Sequence, residues 1–451
     1  MPLTPSASPS PVPAGAPAGL ETDPWSALRA AGPLEAVVEI PGSKSLTNRY
    51  LVLAALADGP GRLRGALRSR DTLLMAAALE ELGARITPQG VDWIVDPIDI
   101  GGVDDPTRAA DIRCGLAGTV MRFLPPVAAL LGRPVRFDGD DQARVRPMGP
   151  VLTALRALGA TVLDDGRGTL PFTVTGGGRV RGGQVDVDAS ASSQFVSALL
   201  LTAPRFERGL VVRHTGRTLP SLPHIEMTVE VLRAAGVEVD DSRPEIWRVA
   251  PGAITARDVR VEPDLSNAAP FLAAALVCGG SVSVPGWPTR TSQPGAMVPD
   301  LLTRMGGQAS LEGDLMTVRG TGQIHGLDVD LKEAGELAPT IAALAALASS
   351  PSRLRGIGHL RGHETDRLAA LATEITRLGG RVEQTSDGLV ITPQPLHGGV
   401  VETYHDHRMA TAGALIGLRV PEIGVVDVGT TAKTIPDFVS LWSTMLGGAA
   451  R

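Results

Sequence analysis

Several kinds of residue are scarce in this sequence, and each scarcity excludes a class of protein. The chain has two cysteines in 451 residues, Cys114 and Cys278, too few for a disulfide framework or a thiolate zinc site. No apolar run approaches the ~18–20 residues that cross a bilayer. The net charge of −6 lacks the clustered cations of a general nucleic-acid binder. We therefore expect a cytoplasmic protein that binds neither membranes nor nucleic acid.

Aromatic residues and lysines are also few. Phe, Trp and Tyr make up 3% of the chain, so the core has to be packed mainly by Ala, Leu and Val. Lysine supplies three of the 42 basic residues, namely Lys44, Lys332 and Lys433, and arginine supplies the others. Either these lysines are retained by chance, or some of them are needed as compact ammonium groups.

The first 24 residues differ in composition from the rest of the chain. They are rich in Pro, Ala and Ser and contain no cation. Such a segment buries too little apolar surface to fold, so residues 1–24 are predicted to form a disordered tail. The segment also lacks the basic start and the apolar stretch of a signal peptide.

The remainder of the chain is repetitive. Amphipathic helical patterns that end in glycine recur every 68 to 77 residues, at Gly83, Gly159, Gly236, Gly306, Gly379 and Gly447. A second, more apolar Ala/Leu helix pattern precedes each of them, between two short strand patterns. The patterns predict an α/β protein of six strand–helix–strand–helix units in two domains, with one buried and one surface helix per unit. The alternative is coincidence, because glycine-capped helices recur in any α/β protein.

A polar junction joins the first strand to the buried helix in each unit. The N-terminus of a helix presents unpaired N–H groups and the positive end of its dipole, which together favour anions. Six such termini in one cleft would form an anion-binding site, whereas ordinary N-capping explains any single junction more simply. The junctions are PGSKSLTNR (41–49), CGLAGT (114–119), SASSQ (190–194), DLSNAA (264–269), GELAPT (335–340) and YHDHR (404–408).

Other kinds of site are less well supported. The string GSKS lacks the GxxxxGK[ST] spacing of a P-loop, which disfavours nucleotide binding through that motif. His359 and His363 are four residues apart, and His405 and His407 are two apart. Either spacing can ligate zinc, but no HExxH motif accompanies them. No GxSxG motif or Cys–His pairing indicates a covalent nucleophile.

Seven ordered strings carry a specific resemblance. PGSKSLTNR, GLAGTVMR, RVRPMG, DASASSQF, HETDRL, YHDHRMA and TAKTIPDF together resemble the 5-enolpyruvylshikimate-3-phosphate synthase family of the shikimate pathway. The match covers nearly the whole chain after the tail. The sister family, UDP-N-acetylglucosamine enolpyruvyl transferase, carries a reactive cysteine in the loop equivalent to residues 139–147, where this chain has none.

The resemblance implies a two-domain, inverse α/β barrel-like fold with six βαβαββ-type units, three per domain. Residues 44–262 would hold the first three units, and residues 25–43 plus 263–451 the last three. The chain would cross between the domains near Ser43–Lys44 and near Glu262. The active site would lie in the cleft between the domains.

The family's reaction is implied as well. Its members transfer the enolpyruvyl group of phosphoenolpyruvate to the 5-hydroxyl of shikimate 3-phosphate and release phosphate, on the route to chorismate and the aromatic amino acids. They use neither metal nor cofactor, and they are targets of glyphosate. The expected partners are therefore the two substrates, bound to a monomer. A non-enzymatic repeat protein that binds anions in the same cleft is the alternative.

Candidate site residues follow from the resemblance motif by motif. Glu336 would be the base for the 5-hydroxyl, and Glu364 and Lys44 are candidates for the proton donor. The shikimate 3-phosphate site would contain Lys44, Ser45, Arg49, Ser192, Ser193, Gln194, Ser221, Glu336 and His363. The phosphoenolpyruvate site would contain Lys44, Gly118, Arg146, Arg367, Arg408 and Lys433.

Some positions depart from the family pattern. Leu116 replaces a common Asn, His359 a common Asn and His363 a common Lys. Glu336 stands where many members have Asp. These differences bear on the contacts with shikimate 3-phosphate rather than on the expected reaction.

Overall fold

The computed structural model of the protein describes residues 23–101, 109–362 and 364–447. Residues 1–22 of the predicted tail and the candidate His363 lie outside this range. Asp23 and Pro24, the last two residues of the predicted tail, lead directly into the first strand.

The strands are short, with two to six residues each. Those in the first part of the chain are β1 (Trp25–Ser26), β2 (Leu34–Val37), β3 (Gly61–Arg64), β4 (Arg85–Gln89), β5 (Asp92–Asp96), β6 (Ala110–Arg113), β7 (Pro134–Asp138), β8 (Thr161–Leu163), β9 (Phe172–Thr175), β10 (Gly183–Val187), β11 (Leu210–His214), β12 (Val239–Arg243) and β13 (Ile246–Val249). Those in the second part are β14 (Asp258–Arg260), β15 (Gly280–Val284), β16 (Gln308–Glu312), β17 (Leu315–Gly320), β18 (Asp328–Asp330), β19 (Ser352–Arg355), β20 (Arg381–Gln384), β21 (Leu389–Thr392), β22 (Gly399–Val401) and β23 (Ile423–Val425).

The helices alternate with these strands. They are α1 (Lys44–Ala55), α2 (Arg70–Glu81), α3 (Gly118–Ala128), α4 (Asp141–Arg144), α5 (Gly149–Ala157), α6 (Gln194–Thr202), α7 (Pro223–Ala234), α8 (Leu265–Cys278), α9 (Val298–Arg304), α10 (Ala338–Ala346), α11 (Arg367–Arg377), α12 (His407–Gly417) and α13 (Phe438–Met445). None of the helices in the described ranges is both long and apolar enough to cross a membrane.

The strands form six small sheets, one for each predicted unit. In the second unit β6 pairs in parallel with β7 across helix α3, and the hairpin β8–β9 then joins the other edge of β7 in antiparallel orientation. The third and fifth units repeat this order with β10–β13 and β18–β21. The arrangement is the predicted βαβαββ unit, and the α/β prediction is confirmed.

Two units exchange their first strands. Strand β2 precedes α1 in sequence but pairs with β15 of the fourth unit, whereas β14 precedes α8 but pairs with β3 of the first unit. The two crossing segments run antiparallel, since the Ser43 N–H donates to Glu262 O at 2.7 Å and the Asp264 N–H donates to Pro41 O at 2.9 Å. The exchange places the two crossings beside each other.

The sixth unit is less complete than the others. Its sheet has three strands in the order β1–β23–β22, and β1 from the start of the described chain takes the place of a hairpin. A 3₁₀ turn at Val428–Lys433 links this sheet to α13. The sixth sheet is therefore a variant of the unit, because a segment from the start of the described chain completes it.

The two kinds of helix differ in burial as predicted. In α8 every residue from Leu265 to Val277 is buried, and all nine residues of α10 are buried. The second helix of each unit ends at one of the six predicted glycines, and all six have positive φ angles, between 80° and 111°. Glycine adopts this backbone conformation without the steric cost of a Cβ atom, which explains the regular glycine spacing in the sequence.

The buried apolar residues form two clusters. One extends from Leu46 to Val261, and the other combines Leu34, Val38 and Ile40 with residues from Leu265 to Met445. Leucine, alanine and valine dominate both clusters, as the scarcity of aromatic residues predicts. Cys114 and Cys278 are both unbonded.

Candidate active site

One cavity of about 160 Å³ lies where the buried helices of all six units begin. Its wall includes residues from the first turns of α1, α3, α6, α8 and α12, and from the 3₁₀ turn that precedes α10. The six polar junctions of the sequence therefore meet at one place, as an anion-binding site would require. The junction residues in the wall include Lys44, Ser45, Gly118, Thr119, Gln194, Ser266, Glu336, His407 and Arg408.

Side-chain capping accounts for only part of this polarity. Ser43, Asp264 and Asp406 cap α1, α8 and α12 by accepting backbone N–H bonds. Helix α3 begins after Ala117, which has no polar side chain and makes no such cap. Its first N–H groups are oriented by the helix and remain suited to an anionic ligand.

Two arginines surround the start of α3. Arg146 Nη1 donates to Leu116 O at 3.1 Å, and Arg122 Nη1 donates to Gln194 Oε1 at 2.8 Å. A Cβ atom on Gly118 would lie 3.0 to 3.3 Å from guanidinium nitrogens of both arginines. Glycine at this position therefore lets the two guanidinium groups approach the helix N-terminus closely.

A network of opposite charges forms a second wall. Arg367 Nε donates to Asp406 Oδ2 at 2.7 Å, and Arg367 Nη2 donates to Glu364 Oε2 at 3.1 Å. The other oxygen of Glu364 accepts a hydrogen bond from Lys433 Nζ. Burial acts to lower the pKa of Arg367, but the two carboxylates outweigh it and raise that pKa above its ordinary value. Arg367 is therefore a permanent cation beside the cavity.

The cation Lys44 stands at the first turn of α1. Its Nζ lies 3.4 Å from Asp71 Oδ2. Burial is the main cause that lowers the pKa of Lys44, and the positive charge of Lys433 lowers it further, whereas Asp71 opposes both. Burial also lowers the pKa of Arg408, whose Nη1 donates to Ser266 O at 3.2 Å. Because these cations are incompletely compensated, an anion in the cavity would stabilise their charged forms.

The carboxylate of Glu336 lies in the same cavity. It belongs to the 3₁₀ turn Gly335–Leu337, and its side chain is 15% exposed. Its Oε1 accepts from Ser266 Oγ at 3.4 Å and lies 3.9 Å from His224 Nε2. A partly exposed carboxylate with so few donors is chemically suited to accept a proton from a bound ligand.

Twelve of the fifteen candidate residues line this cavity. They are Lys44, Ser45, Gly118, Arg146, Ser192, Gln194, Ser221, Glu336, Glu364, Arg367, Arg408 and Lys433. The structure thus brings together residues from all seven sequence strings of the resemblance.

Two of the other three candidates lie behind the wall. Arg49 is buried and donates through Nε to Thr228 Oγ1 at 2.8 Å and through Nη2 to His224 O at 2.7 Å. Burial lowers the pKa of Arg49 to about 9. Ser193 is buried immediately before α6. The third candidate, His363, lies outside the described residues.

Several residues of the wall are not among the candidates from the sequence, namely Asp71, Thr119, Arg122, His224, Asp264 and His407. Thr119, Asp264 and His407 belong to the polar junctions, and Arg122 ends the string GLAGTVMR, so a signal existed for these four. Asp71 and His224 gave no signal, because they begin helices α2 and α7, which were predicted to cover the surface.

A second cavity of about 430 Å³ adjoins the first and shares Arg146, Glu364 and Lys433 with it. Leu116 and His405 line this outer cavity, and His405 Nδ1 lies 3.1 Å from Asp427 Oδ2. Within residues 23–101, 109–362 and 364–447 no group of three His, Cys, Asp or Glu side chains is arranged to hold a metal ion. The metal-free mechanism itself stays a prediction.

Comparisons with known proteins agree with this geometry. The family described as EPSP synthase (3-phosphoshikimate 1-carboxyvinyltransferase) matches residues 28–442. A 3-phosphoshikimate 1-carboxyvinyltransferase from Kocuria rhizophila is 58% identical over 436 residues, which cover 95% of this chain and 97% of that protein.

Solved structures resemble the fold over nearly its whole length. An EPSP synthase structure from Acinetobacter baumannii is 25% identical with a TM-score of 0.78, covering 94% of this chain and 98% of that one. A second EPSP synthase structure from the same organism is 24% identical with a TM-score of 0.76, covering 92% and 97% of the two chains. Because the family matches residues 28–442, a relative is 58% identical and the cavity is lined by residues of all seven strings, the chain belongs to the EPSP synthase (3-phosphoshikimate 1-carboxyvinyltransferase) family.

Proposed function

We propose that the cavity transfers the enolpyruvyl group of phosphoenolpyruvate to the 5-hydroxyl of shikimate 3-phosphate and releases phosphate. The observation that carries the proposal is the convergence of six helix starts and several buried cations on one cavity that also contains Glu336 and Glu364. Both substrates are phosphorylated, and phosphoenolpyruvate adds a carboxylate. A site of this charge binds them and stabilises an anionic tetrahedral intermediate.

Phosphoenolpyruvate would occupy the side of the cavity near the start of α3. The cations there are Arg146, Arg367, Arg408 and Lys433, with Lys44 between the two substrate positions. Guanidinium groups match phosphate and carboxylate oxygens bidentately, so several arginines can hold both anionic groups of this small molecule. Gly118 contributes by leaving room for the Arg146 guanidinium.

Shikimate 3-phosphate would occupy the side formed by α1, α6 and α7. Hydroxyl and amide groups of Ser45, Ser192, Gln194 and Ser221 line that side and can bind phosphate and hydroxyl oxygens. Arg49 and Ser193 lie behind them and would act by holding this wall in place. His363 is retained as a candidate from its sequence string alone.

The acid–base groups are assigned to opposite ends of the reaction. Glu336 would accept the proton of the 5-hydroxyl as that oxygen attacks C2 of phosphoenolpyruvate, while C3 gains a proton. Glu364 bridges Lys433 and Arg367 in the phosphoenolpyruvate half, and with Lys44 it is the candidate for the donor to C3. Collapse of the tetrahedral intermediate then expels phosphate.

The two-domain division supports this arrangement. We assign residues 44–262 to one domain and residues 25–43 plus 263–451 to the other. Support comes from the two separate apolar clusters, whose sequence limits coincide with this division, and from the paired crossings near Ser43 and Glu262. With this division, the cavity residues of one domain face those of the other across a cleft, as in many enzymes whose site lies between domains.

A phosphate-release assay tests the proposed function. Phosphate should appear only when shikimate 3-phosphate and phosphoenolpyruvate are present together, and the rate should not change with EDTA. Each substrate alone is the control. Release of phosphate with UDP-N-acetylglucosamine in place of shikimate 3-phosphate would assign the reaction of the sister family. Absence of release with either acceptor would favour the alternative, a non-enzymatic protein that binds anions in the cleft.

A further inference from the structure

His224 is a cavity residue that lies outside the seven sequence strings. It lies in the first turn of α7, a helix whose apolar residues belong to the first apolar cluster. Its side chain points toward Glu336, whose neighbour Leu337 belongs to the second cluster. The imidazole Nε2 lies 3.9 Å from Glu336 Oε1, and the two side chains are 21% and 15% exposed. An imidazole from one half of the molecule thus faces the candidate base in the other half.

We propose that His224 is a positioning residue for Glu336, which orients the carboxylate and shares the proton that it removes from the 5-hydroxyl. The proposal rests on the proposed function, since it assigns a further role within that reaction. It concerns a residue that would act through Glu336.

The backbone of His224 is held by buried donors. Its carbonyl oxygen accepts from Arg49 Nη2 at 2.7 Å, from Thr228 Oγ1 at 3.0 Å and from Ser197 Oγ at 3.3 Å. Its N–H donates to Ser221 O at 3.0 Å. These four hydrogen bonds fix the backbone position from which the imidazole projects, and such support is part of a preorganised site. Arg49 therefore has a second role, as an anchor of His224.

The charges around the imidazole favour its neutral form. Burial is the main cause that lowers the pKa of His224, and the cations Arg49 and Lys44 lower it further, whereas the carboxylates of Glu336 and Asp264 oppose them. A neutral imidazole does not form an ion pair with the Glu336 carboxylate. An imidazolium would instead form an ion pair with it and weaken it as a base.

A second imidazole packs against the same turn. A Cβ atom on Gly335 would lie 2.7 Å from His359 Nε2, so the His359 ring packs directly against the backbone next to Glu336. Burial lowers the pKa of His359 as well, and the charge of Glu336 opposes this effect. His359 is therefore the other titratable group that a test of His224 has to separate.

The shared proton fits the balance of the reaction. The O–H bond of the 5-hydroxyl breaks as its oxygen bonds to C2 of phosphoenolpyruvate, and the proton goes to the Glu336 carboxylate. His224 Nε2 and Glu336 Oε1 are 3.9 Å apart in the structure, so the two side chains have to approach to hydrogen-bond distance for the next step. Neutral His224 then takes that proton at Nε2 and becomes an imidazolium beside a carboxylate, and the pair holds one proton until it passes to solvent. Two groups that share a proton titrate as a unit.

The pH dependence of kcat/KM for His224→Asn tests the proposal. Asn keeps a polar side chain but does not titrate, so the acid limb should move to lower pH, because a lone carboxylate replaces a pair that binds the first proton more readily. We expect kcat to fall ~10- to 100-fold, less than the loss expected for the base itself. His359→Asn should move the acid limb much less than His224→Asn does. His397→Asn, which changes an exposed histidine, should have the same pH profile as the wild type.

A double-mutant cycle separates positioning from other roles. In a Glu336→Gln background, His224→Asn should cause little further loss of kcat, because the carboxylate through which it acts is gone. An equal loss in both backgrounds, or a raised KM for shikimate 3-phosphate with an unmoved acid limb, would overturn the proposal. His224→Gln is the substitute if the Asn variant does not fold. Because these measurements require an active wild type, failure of the proposed function would already be evident there.

Discussion

Arg367 and Asp406 are 39 residues apart in the chain, yet their side chains form a two-bond pair that is almost completely buried. Arg367 Nε lies 2.7 Å from Asp406 Oδ2, and Nη2 lies 3.2 Å from Oδ1. The same carboxylate accepts the backbone N–H of Arg408 at 2.9 Å and caps α12. Asp406 thus fixes two cavity cations at once, one through its side chain and one through the helix that carries it.

The first prediction follows from this pair. Asp406→Asn should lower the free energy of unfolding by up to ~3–5 kcal/mol, because it removes the more deeply buried of the two carboxylates that pair with the Arg367 guanidinium. It should also raise the KM for phosphoenolpyruvate as Arg367 loses its orientation. Urea unfolding and steady-state kinetics measure the two effects. Asp258→Asn, which breaks the exposed pair with Arg64, is the control and should change stability little.

The second prediction concerns Lys44 and Glu336. Lys44→Ala and Glu336→Ala should each reduce kcat ~10²-fold or more, as expected for a positioned electrostatic or acid–base group. The matched control is Lys332→Ala, since Lys332 is an exposed lysine that does not line the cavity. Turnover close to the wild type in either site variant would remove that residue from the mechanism.

The third prediction uses the close contact at Gly118. In Gly118→Ala the new Cβ would press on the Arg146 and Arg122 guanidinium groups at 3.0 to 3.3 Å. We expect a higher KM for phosphoenolpyruvate and a nearly unchanged KM for shikimate 3-phosphate. Gly177→Ala is the control, because no atom lies within 4 Å of its Cβ position. Equal effects on the two substrates would contradict the assigned location of phosphoenolpyruvate.

The fourth prediction concerns pH and Lys44. Because burial lowers its pKa in the folded protein, Lys44 should lose its proton below the pH at which an ordinary lysine does. Substrate affinity should then weaken as pH rises through that lowered pKa, and Lys44→Arg should move this loss to higher pH. Calorimetric titration of shikimate 3-phosphate against pH measures both, and identical profiles for the two proteins would refute the role of this charge.

The pH dependence of folding stability has the opposite sign to the pH dependence of substrate affinity. Between the lowered pKa of folded Lys44 and its ordinary value, the unfolded chain binds more protons than the folded one. Stability without ligand should therefore increase as pH rises through this window, as far as Lys44 is concerned. The wild type minus Lys44→Met difference in unfolding free energy, followed with pH, isolates this contribution.

The seven strings located most of the site because they are local. PGSKSLTNR and YHDHR each combine a strand end, a cap and the first turn of a helix, so the residues that face a ligand stand together in sequence. The same locality explains what was missed. Asp71 and His224 reach the cavity from helices whose pattern indicates only a surface role, and their partners Lys44 and Glu336 are distant in sequence.

The sequence by itself determined the α/β class, the six units, their glycine-ended helices and the family to which the chain belongs. These features depend on hydrophobic periodicity, on the backbone freedom of glycine and on short motifs, all of which act within one unit. The tertiary structure decided that β2 pairs with β15 and β14 with β3, and it brought Arg367 to Asp406 and His224 to Glu336. Such contacts depend on how separate units pack and where the chain crosses between them, which no local pattern encodes.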